Sequence, residues 1–201
     1  MCHRRLAQEL SKHRCRFLDS PVTGEQSRAL DGTLTAIVGG DAHDLERARP
    51  VLNAMAKDIV HMGESGSGQL AKALNNCLYN ISCAATGEIL ALATAAGLDP
   101  AAFATVVTGG TGQSFGFDKF APLIQRDQFA APQYGYPMGK AFKDMTVALA
   151  TCEQQGTRHT DLRVLHATHQ TYVEALDMGL GELNKGGMAR VYATKVPGRR
   201  T

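Results

Sequence analysis

Between residues 63 and 97 apolar side chains recur at steps of three and four: Leu70, Leu74, Leu78, Ile81, Ala85, Ile89, Leu92 and Ala96. That period is helical, and its length predicts one long helix with a continuous apolar stripe, opened by the glycine- and serine-rich run GESGSG. Upstream the pattern changes. Residues 3–14 are polar and charged, with Leu6 and Leu10 as the only apolar i, i+4 pair, which predicts a helix. Residues 15–18 read as a short strand stopped by Asp19-Ser20-Pro21, residues 33–38 (TLTAIV) as a second, and residues 58–62 (DIVHM) as a third. Before the third, Asp41 or Asp44 can cap a helix carrying Leu45, Ala48, Val51, Leu52 and Met55. Strand, strand, helix, strand predicts the tail of an α/β sheet.

Beyond Gly97 the signals are helical. Asp99 as cap and Pro100 at the first position start a helix over 101–107 that halts at Thr108-Gly109-Gly110. Ser114 caps another, whose Phe115, Phe117, Phe120, Leu123 and Ile124 are spaced as core residues. After a loop over 126–139, a helix over 140–155 turns Phe142, Met145, Ala148, Leu149 and Cys152 inward, and Gly156 ends it. Thr160 or Asp161 starts the next, with Leu162, Leu165, Thr168, Tyr172, Ala175, Leu176 and Met178 on one face. A last helix over 181–193 runs into a basic tail. Five or six helices with no convincing strand predict an all-α domain from residue 64 onward. The expected division is therefore 1–63 and 64–201.

Composition adds mostly exclusions. A net charge of +2, with the basic residues gathered at the two ends, does not argue for a nucleic-acid partner. No run of eighteen apolar residues and no signal-peptide core is found, so no membrane association and a cytoplasmic location are expected. The five cysteines are odd in number and lack C-x-x-C spacing, which reads as reduced thiols. His166 and His169 stand at i, i+3, but no third ligand arrives at a recognisable spacing, so no metal site is expected.

Candidate chemistry sits at the start of the long helix. Lys72, Asn75 and Asn76 project from one side of it, beside the glycine-rich run. An ammonium near a helix N-terminus lies at the positive end of the macrodipole, and desolvation there would lower its pKa toward the range of a general acid/base. The same spacing also fits a lysine that reaches water and two amides that cap nearby backbone. Lys143 and Asp144 occupy a comparable place near the start of the 140–155 helix, where a surface lysine and a dipole-favoured aspartate are equally good readings.

The run G-x-x-G-x-G-Q-x-x-K-x-x-N-N, here from Gly63 to Asn76, resembles the central motif of the β-hydroxyacid dehydrogenases, the 3-hydroxyisobutyrate dehydrogenase-like enzymes. FLDSPVTGEQSRALDGTLTAIVGG, at residues 17–40, is similar to that family's substrate-binding segment, in which D-A-P-V-S-G-G holds the substrate carboxylate, and FKDMTVALA, at 142–150, to its K-D-L motif. Glu25 departs from the pattern by standing where the family usually has a second glycine. Three motifs in order, spread over most of the chain, carry the resemblance.

The resemblance implies an all-helical domain like the C-terminal one of 6-phosphogluconate dehydrogenase, built on a long inter-domain helix. The last β-strands of a Rossmann-type α/β domain precede it. It implies NAD or NADP as cofactor and a small hydroxy acid or semialdehyde as substrate. Lys72 becomes the catalytic acid/base, and Asn76 with Asn75, Thr23 and Gly24 hold the substrate. Lys143 and Asp144, with Gly68, lie at the cofactor. A homodimer or homotetramer is the family's habit. An imine reductase is a sister reading that Lys72 argues against, because that group usually carries another residue there. The chain contains no strand–G-x-G-x-x-G–helix unit. A truncated, inactive paralogue that dimerises or binds acids is therefore the alternative expectation.

Overall fold

In the computed structural model, residues 2–131, 133, 135–154, 156–193 and 195–196 are described, and the chain divides into two compact units, Met1–Asn75 and Asn76–Thr201.

In the first unit, helix α1 (Cys2–Lys12) leads through irregular chain to a three-stranded sheet in the order β1 (Val22–Thr23), β2 (Leu34–Val38), β3 (Ala56–His61). β1 runs antiparallel to β2, with Val22 opposite Ala36. β2 and β3 are parallel, with Ile37 opposite Val60. The strand expected over 15–18 does not form. Only Asp19 bridges to Gly39, and Pro21, lacking an N–H, cannot extend a ladder. A short helix that the sequence reading did not foresee, α2 (Glu25–Leu30), joins β1 to β2. Helix α3 (Ala42–Leu52) is capped by Asp41, whose carboxylate accepts from the Asp44 amide at 3.0 Å. That bond is the main reason the Asp41 carboxyl lies below its ordinary pKa. Ala36, Val38, Leu45, Leu52 and Ala56 make the core of this unit.

Helix α4 (Ser67–Ala95) begins in the first unit and forms the spine of the second. Around it come α5 (Pro100–Thr108), α6 (Phe115–Gln125), α7 (Met138–Gln154), α8 (Arg163–Asp177) and α9 (Met188–Ala193). Asp99 and Ser114 are the caps expected of them, accepting from the Ala102 and Phe117 amides. The last helix is shorter than its pattern predicts. Leu183 and Asn184 instead bridge to Ala130 and Pro137, and Asn184 ties down a 3-10 turn by accepting from the Gly186 amide. Met138, Met145, Ala148, Tyr172, Ala175, Met188 and Val191 pack with Cys77 and Ala84 into the main core. Phe117 and Phe120 are buried as expected, whereas Phe115 is 62% exposed and meets the Tyr79 ring edge-on.

The apolar stripe of α4 does not form this core. Leu74, Leu78, Ile89 and Leu92 are exposed, Leu78 by 69%. The packed side instead carries Cys77, Asn80, Cys83, Ala84, Thr86, Gly87, Leu90 and Ala93. The reason is close approach: a Cβ on Gly87 would stand 2.9 Å from the Ala189 amide nitrogen, so the neighbouring backbone needs small residues on α4. By length and composition alone α4 would pass for a membrane span.

Candidate active site

In the first unit, Thr23 ends β1 opposite Thr35, and Gly24 follows at φ 136°. A Cβ on Gly24 would lie 2.8 Å from the Arg28 Cβ, so turn and crowding both require glycine. Glu25 sits at φ 61°, the left-handed conformation that a second glycine would adopt freely. The backbone thus keeps the shape of a double-glycine turn while an exposed carboxylate is added to it.

The start of α4 is held by Asp19, which in the sequence is legible only as part of the strand stop Asp19-Ser20-Pro21. Buried Asp19 accepts from the Gly66 amide at 2.6 Å and from the Gln69 amide at 2.9 Å. Its own backbone exchanges two hydrogen bonds with Gly39 at the end of β2. Gly68 lies where a Cβ would collide with the Ile37 carbonyl, so in this structure its smallness serves the contact of α4 with β2. Lys72, half-buried, and Asn75, exposed, follow on the same helix. No sequence signal short of the whole fold would have paired Asp19 with residues 47 and 50 positions away.

In the second unit, Asn76 donates to the Asp144 carboxylate at 2.7 Å. One turn on, fully buried Asn80 donates to the Ala141 carbonyl at 3.2 Å, so two amides of α4 grip the first turns of α7. Between them Cys77 lies near the Asp144 carbonyl, and its thiol is pushed up from 9.0 to about 11 by burial, with the Asp144 charge adding to it. Lys143, beside Asp144 on α7, is exposed. The structure therefore brings Asn76 and Asp144 together, a pairing that helical spacing could not foretell. His169 lies against the Phe142 ring at 4.6 Å, a packing position. Two surface pockets contain none of these residues: one lined by Arg4, Gln8, Ser11 and Glu64, the other by Leu90, Thr94, Ile124 and Ala189.

A dinucleotide would need backbone amides free to hold its pyrophosphate, usually at a glycine-rich helix start. The glycine-rich turn of this chain does not fit that task. Its Gly66 and Gln69 amides are filled by Asp19, and its glycines serve a left-handed turn and the approach to β2.

Comparison with known proteins agrees with the motifs. Residues 66–192 match the family described as the NAD-binding domain of NADP-dependent 3-hydroxyisobutyrate dehydrogenase, and residues 2–63 that of the NAD-binding domain of 6-phosphogluconate dehydrogenase. The chain is 36% identical over 184 residues to 3-hydroxyisobutyrate dehydrogenase of Pseudomonas aeruginosa, covering 87% of this chain and 62% of that protein. It is 41% identical over 106 residues to the NAD-dependent L-serine dehydrogenase of the same organism, covering 53% of this chain and 36% of that protein. It thus spans less than two thirds of the length of these relatives. Among solved structures, 3-hydroxyisobutyrate dehydrogenase of Mycobacterium tuberculosis with L-serine aligns at a TM-score of 0.81 and 28% identity, over 94% of this chain and 65% of that one. That of Salmonella typhimurium aligns at a TM-score of 0.82 and 23% identity, over 93% and 64%, a likeness of fold. NAD or NADP is the cofactor of the matched families. With more than half its length inside one of them, this chain is a member of the β-hydroxyacid dehydrogenase family, of the 3-hydroxyisobutyrate dehydrogenase-like kind.

Proposed function

We propose that this chain carries the substrate-handling and acid/base part of an NAD(P)-dependent 3-hydroxy acid dehydrogenase. The observation that carries the reading is the motif set itself, kept in a family member with Lys72 half-buried one helical turn before Asn76. Lys72, protonated, gives its proton to the carbonyl oxygen as that oxygen becomes an alkoxide. In the opposite direction, neutral Lys72 takes the hydroxyl proton. Asn76, its rotamer fixed by Asp144, holds the reacting oxygen or a neighbouring hydroxyl, with Asn75 beside it. Thr23 and the Gly24 amide anchor the acid's carboxylate, and the Glu25 carboxylate next to them weakens that anchoring by charge repulsion. Lys143 and Asp144 are the residues of this chain that would hold the cofactor when it is bound. The hydride itself is the nicotinamide's chemistry. 3-Hydroxyisobutyrate and L-serine, named for the relatives, are the substrates to try first.

A homodimer or homotetramer in the cytoplasm completes the proposal. The exposed Leu74, Leu78, Ile89 and Leu92 support the oligomer, since such a stripe on one long helix is costly to leave in water.

A second reading is favoured by the filled amides at 66 and 69. In it the chain is a non-catalytic paralogue that binds acids or a second copy. One experiment separates the two: titration of the purified chain with NADH and NADPH, followed by turnover of both acids. On the first reading either nucleotide binds in the micromolar range, and Lys72→Ala lowers turnover by roughly 10²–10⁴-fold, the usual share of general acid–base catalysis. Absence of nucleotide binding up to millimolar concentrations means that this chain alone is not a dehydrogenase.

A further inference from the structure

Helix α4 opens without using its own local cap. The N-cap position is Gly66, whose carbonyl accepts from the Leu70 amide and which has no side chain to cap with, and the buried hydroxyl of Ser67, the first helical residue, has no hydrogen-bond partner. The two N-terminal amides at Gly66 and Gln69 go instead to the two oxygens of Asp19. The surroundings are shaped around that carboxylate. A Cβ on Gly39 would stand 2.7 and 2.8 Å from its oxygens, and one on Gly68 would stand 2.9 Å from the second. Both positions are glycine, and Gly66 takes φ 93° to present its amide.

The same residue is fixed at its other end. Asp19 N donates to the Gly39 carbonyl and Gly39 N to the Asp19 carbonyl, at 3.0 and 2.8 Å. Two residues on, the Pro21 carbonyl accepts from Ile37, which carries the chain directly into β1 and Thr23. Lys72 follows Gln69 by three residues, about 4.5 Å along the helix axis. One side chain therefore stands between the segment carrying Thr23 and Gly24 and the helix carrying Lys72.

We propose that Asp19 is a positioning residue for Lys72, its carboxylate fixing the first turn of α4 to the end of β2 and so setting where the lysine stands relative to Thr23 and Gly24. The relevance to catalysis rests on the acid/base reading of Lys72, because a general acid works only within hydrogen-bond reach of its target and displacements of about 1 Å are costly. The mechanical claim does not depend on that reading.

The test uses the whole chain without turnover. Amide hydrogen exchange reads Gly66 and Gln69, and competitive acetylation reads Lys72 against exposed Lys57 on β3 as internal standard. In Asp19→Asn, which keeps one acceptor but turns an N–H toward the helix amides, and in the smaller Asp19→Ser, exchange at Gly66 and Gln69 rises at least tenfold. The Lys72:Lys57 acetylation ratio changes at least threefold, while unfolding stays cooperative. Faster exchange with an unchanged ratio overturns the proposal and leaves Asp19 a cap only. Unchanged exchange also overturns it. Should neither variant fold, the unsubstituted chain decides: the Gly66 and Gln69 amides must exchange as slowly as those of β2, and exchange as fast as that of Ser65 rejects the idea. If Lys72→Ala retains turnover while the acetylation ratio responds to Asp19, the catalytic reading fails and the mechanical link stands.

Discussion

The Asn76 side chain donates to the Asp144 carboxylate across 2.7 Å, and with Asn80 on the Ala141 carbonyl it fixes the rotation of α4 against α7. A hydrogen bond to a charged group contributes about 1.5–3 kcal/mol when fully buried, and this half-buried pair belongs at the low end. In a double-mutant cycle with Asn76→Ala and Asp144→Ala, urea unfolding is expected to give a coupling of about 1.5 kcal/mol. Additivity within about 0.3 kcal/mol would mean that the contact contributes nothing to the fold.

Cys77 makes stability depend on alkaline pH. Its thiol titrates near 9.0 when exposed and near 11 in the folded chain, so the unfolded state gives up its proton first. Stability from this group is complete below pH 9 and is lost as pH rises toward 11, by about 2–3 kcal/mol at most. Tyr172 and Tyr192, both raised by burial, extend the fall above pH 10. Melting temperature followed from pH 8 to 10 should decline, and Cys77→Ala should remove much of the slope between 9 and 10. A disulfide reagent at pH 8 should modify exposed Cys15 well before Cys77.

The exposed stripe of α4 makes an oligomer testable by light scattering. The unaltered chain should run at twice or four times the single-chain mass at tens of micromolar. Leu78→Glu with Leu92→Glu should return it to a single chain without loss of helical signal, since both residues lie outside the core. A monomeric unaltered chain would reject the oligomer.

Glu25 offers a simple reversion. Glycine at φ 61° relieves roughly 1 kcal/mol of left-handed strain but loosens the unfolded chain by a similar amount, so Glu25→Gly should shift stability by less than about 0.5 kcal/mol. Removing the charge beside Thr23 and Gly24 should tighten binding of a hydroxy acid several-fold, read by calorimetry. Weaker binding would mean that the carboxylate belongs to the recognition itself.

What the sequence discloses follows from how local each cause is. Asp41, Asp99 and Ser114 are legible as caps because each bonds an amide three residues on. The long helix is legible because its period is unbroken. Which face it buries is not, because a stripe of leucines states only that a partner exists, while Gly87 and its small neighbours admit backbone that no periodicity reveals. β1 escapes notice as two residues beyond a proline, and α2 because the substrate motif masks it. Lys72 and Asn76 are legible as motif residues. The Asn76–Asp144 bond joins positions 68 apart, and nothing at either position announces the other.

The remote cap at Asp19 has a consequence for the order of assembly. A helix whose Gly66 and Gln69 amides bond a side chain 47 and 50 residues earlier leaves those two amides to water until that side chain arrives. Helical structure in α4 should nucleate toward its middle and propagate back, closing over residues 66–69 only when the parallel pair of β2 and β3 has formed. Formation of that pair is the slow, non-local event. The turn that leads to Lys72 is then among the last pieces of the first unit to set, and a nascent chain would acquire it only after β3 is complete.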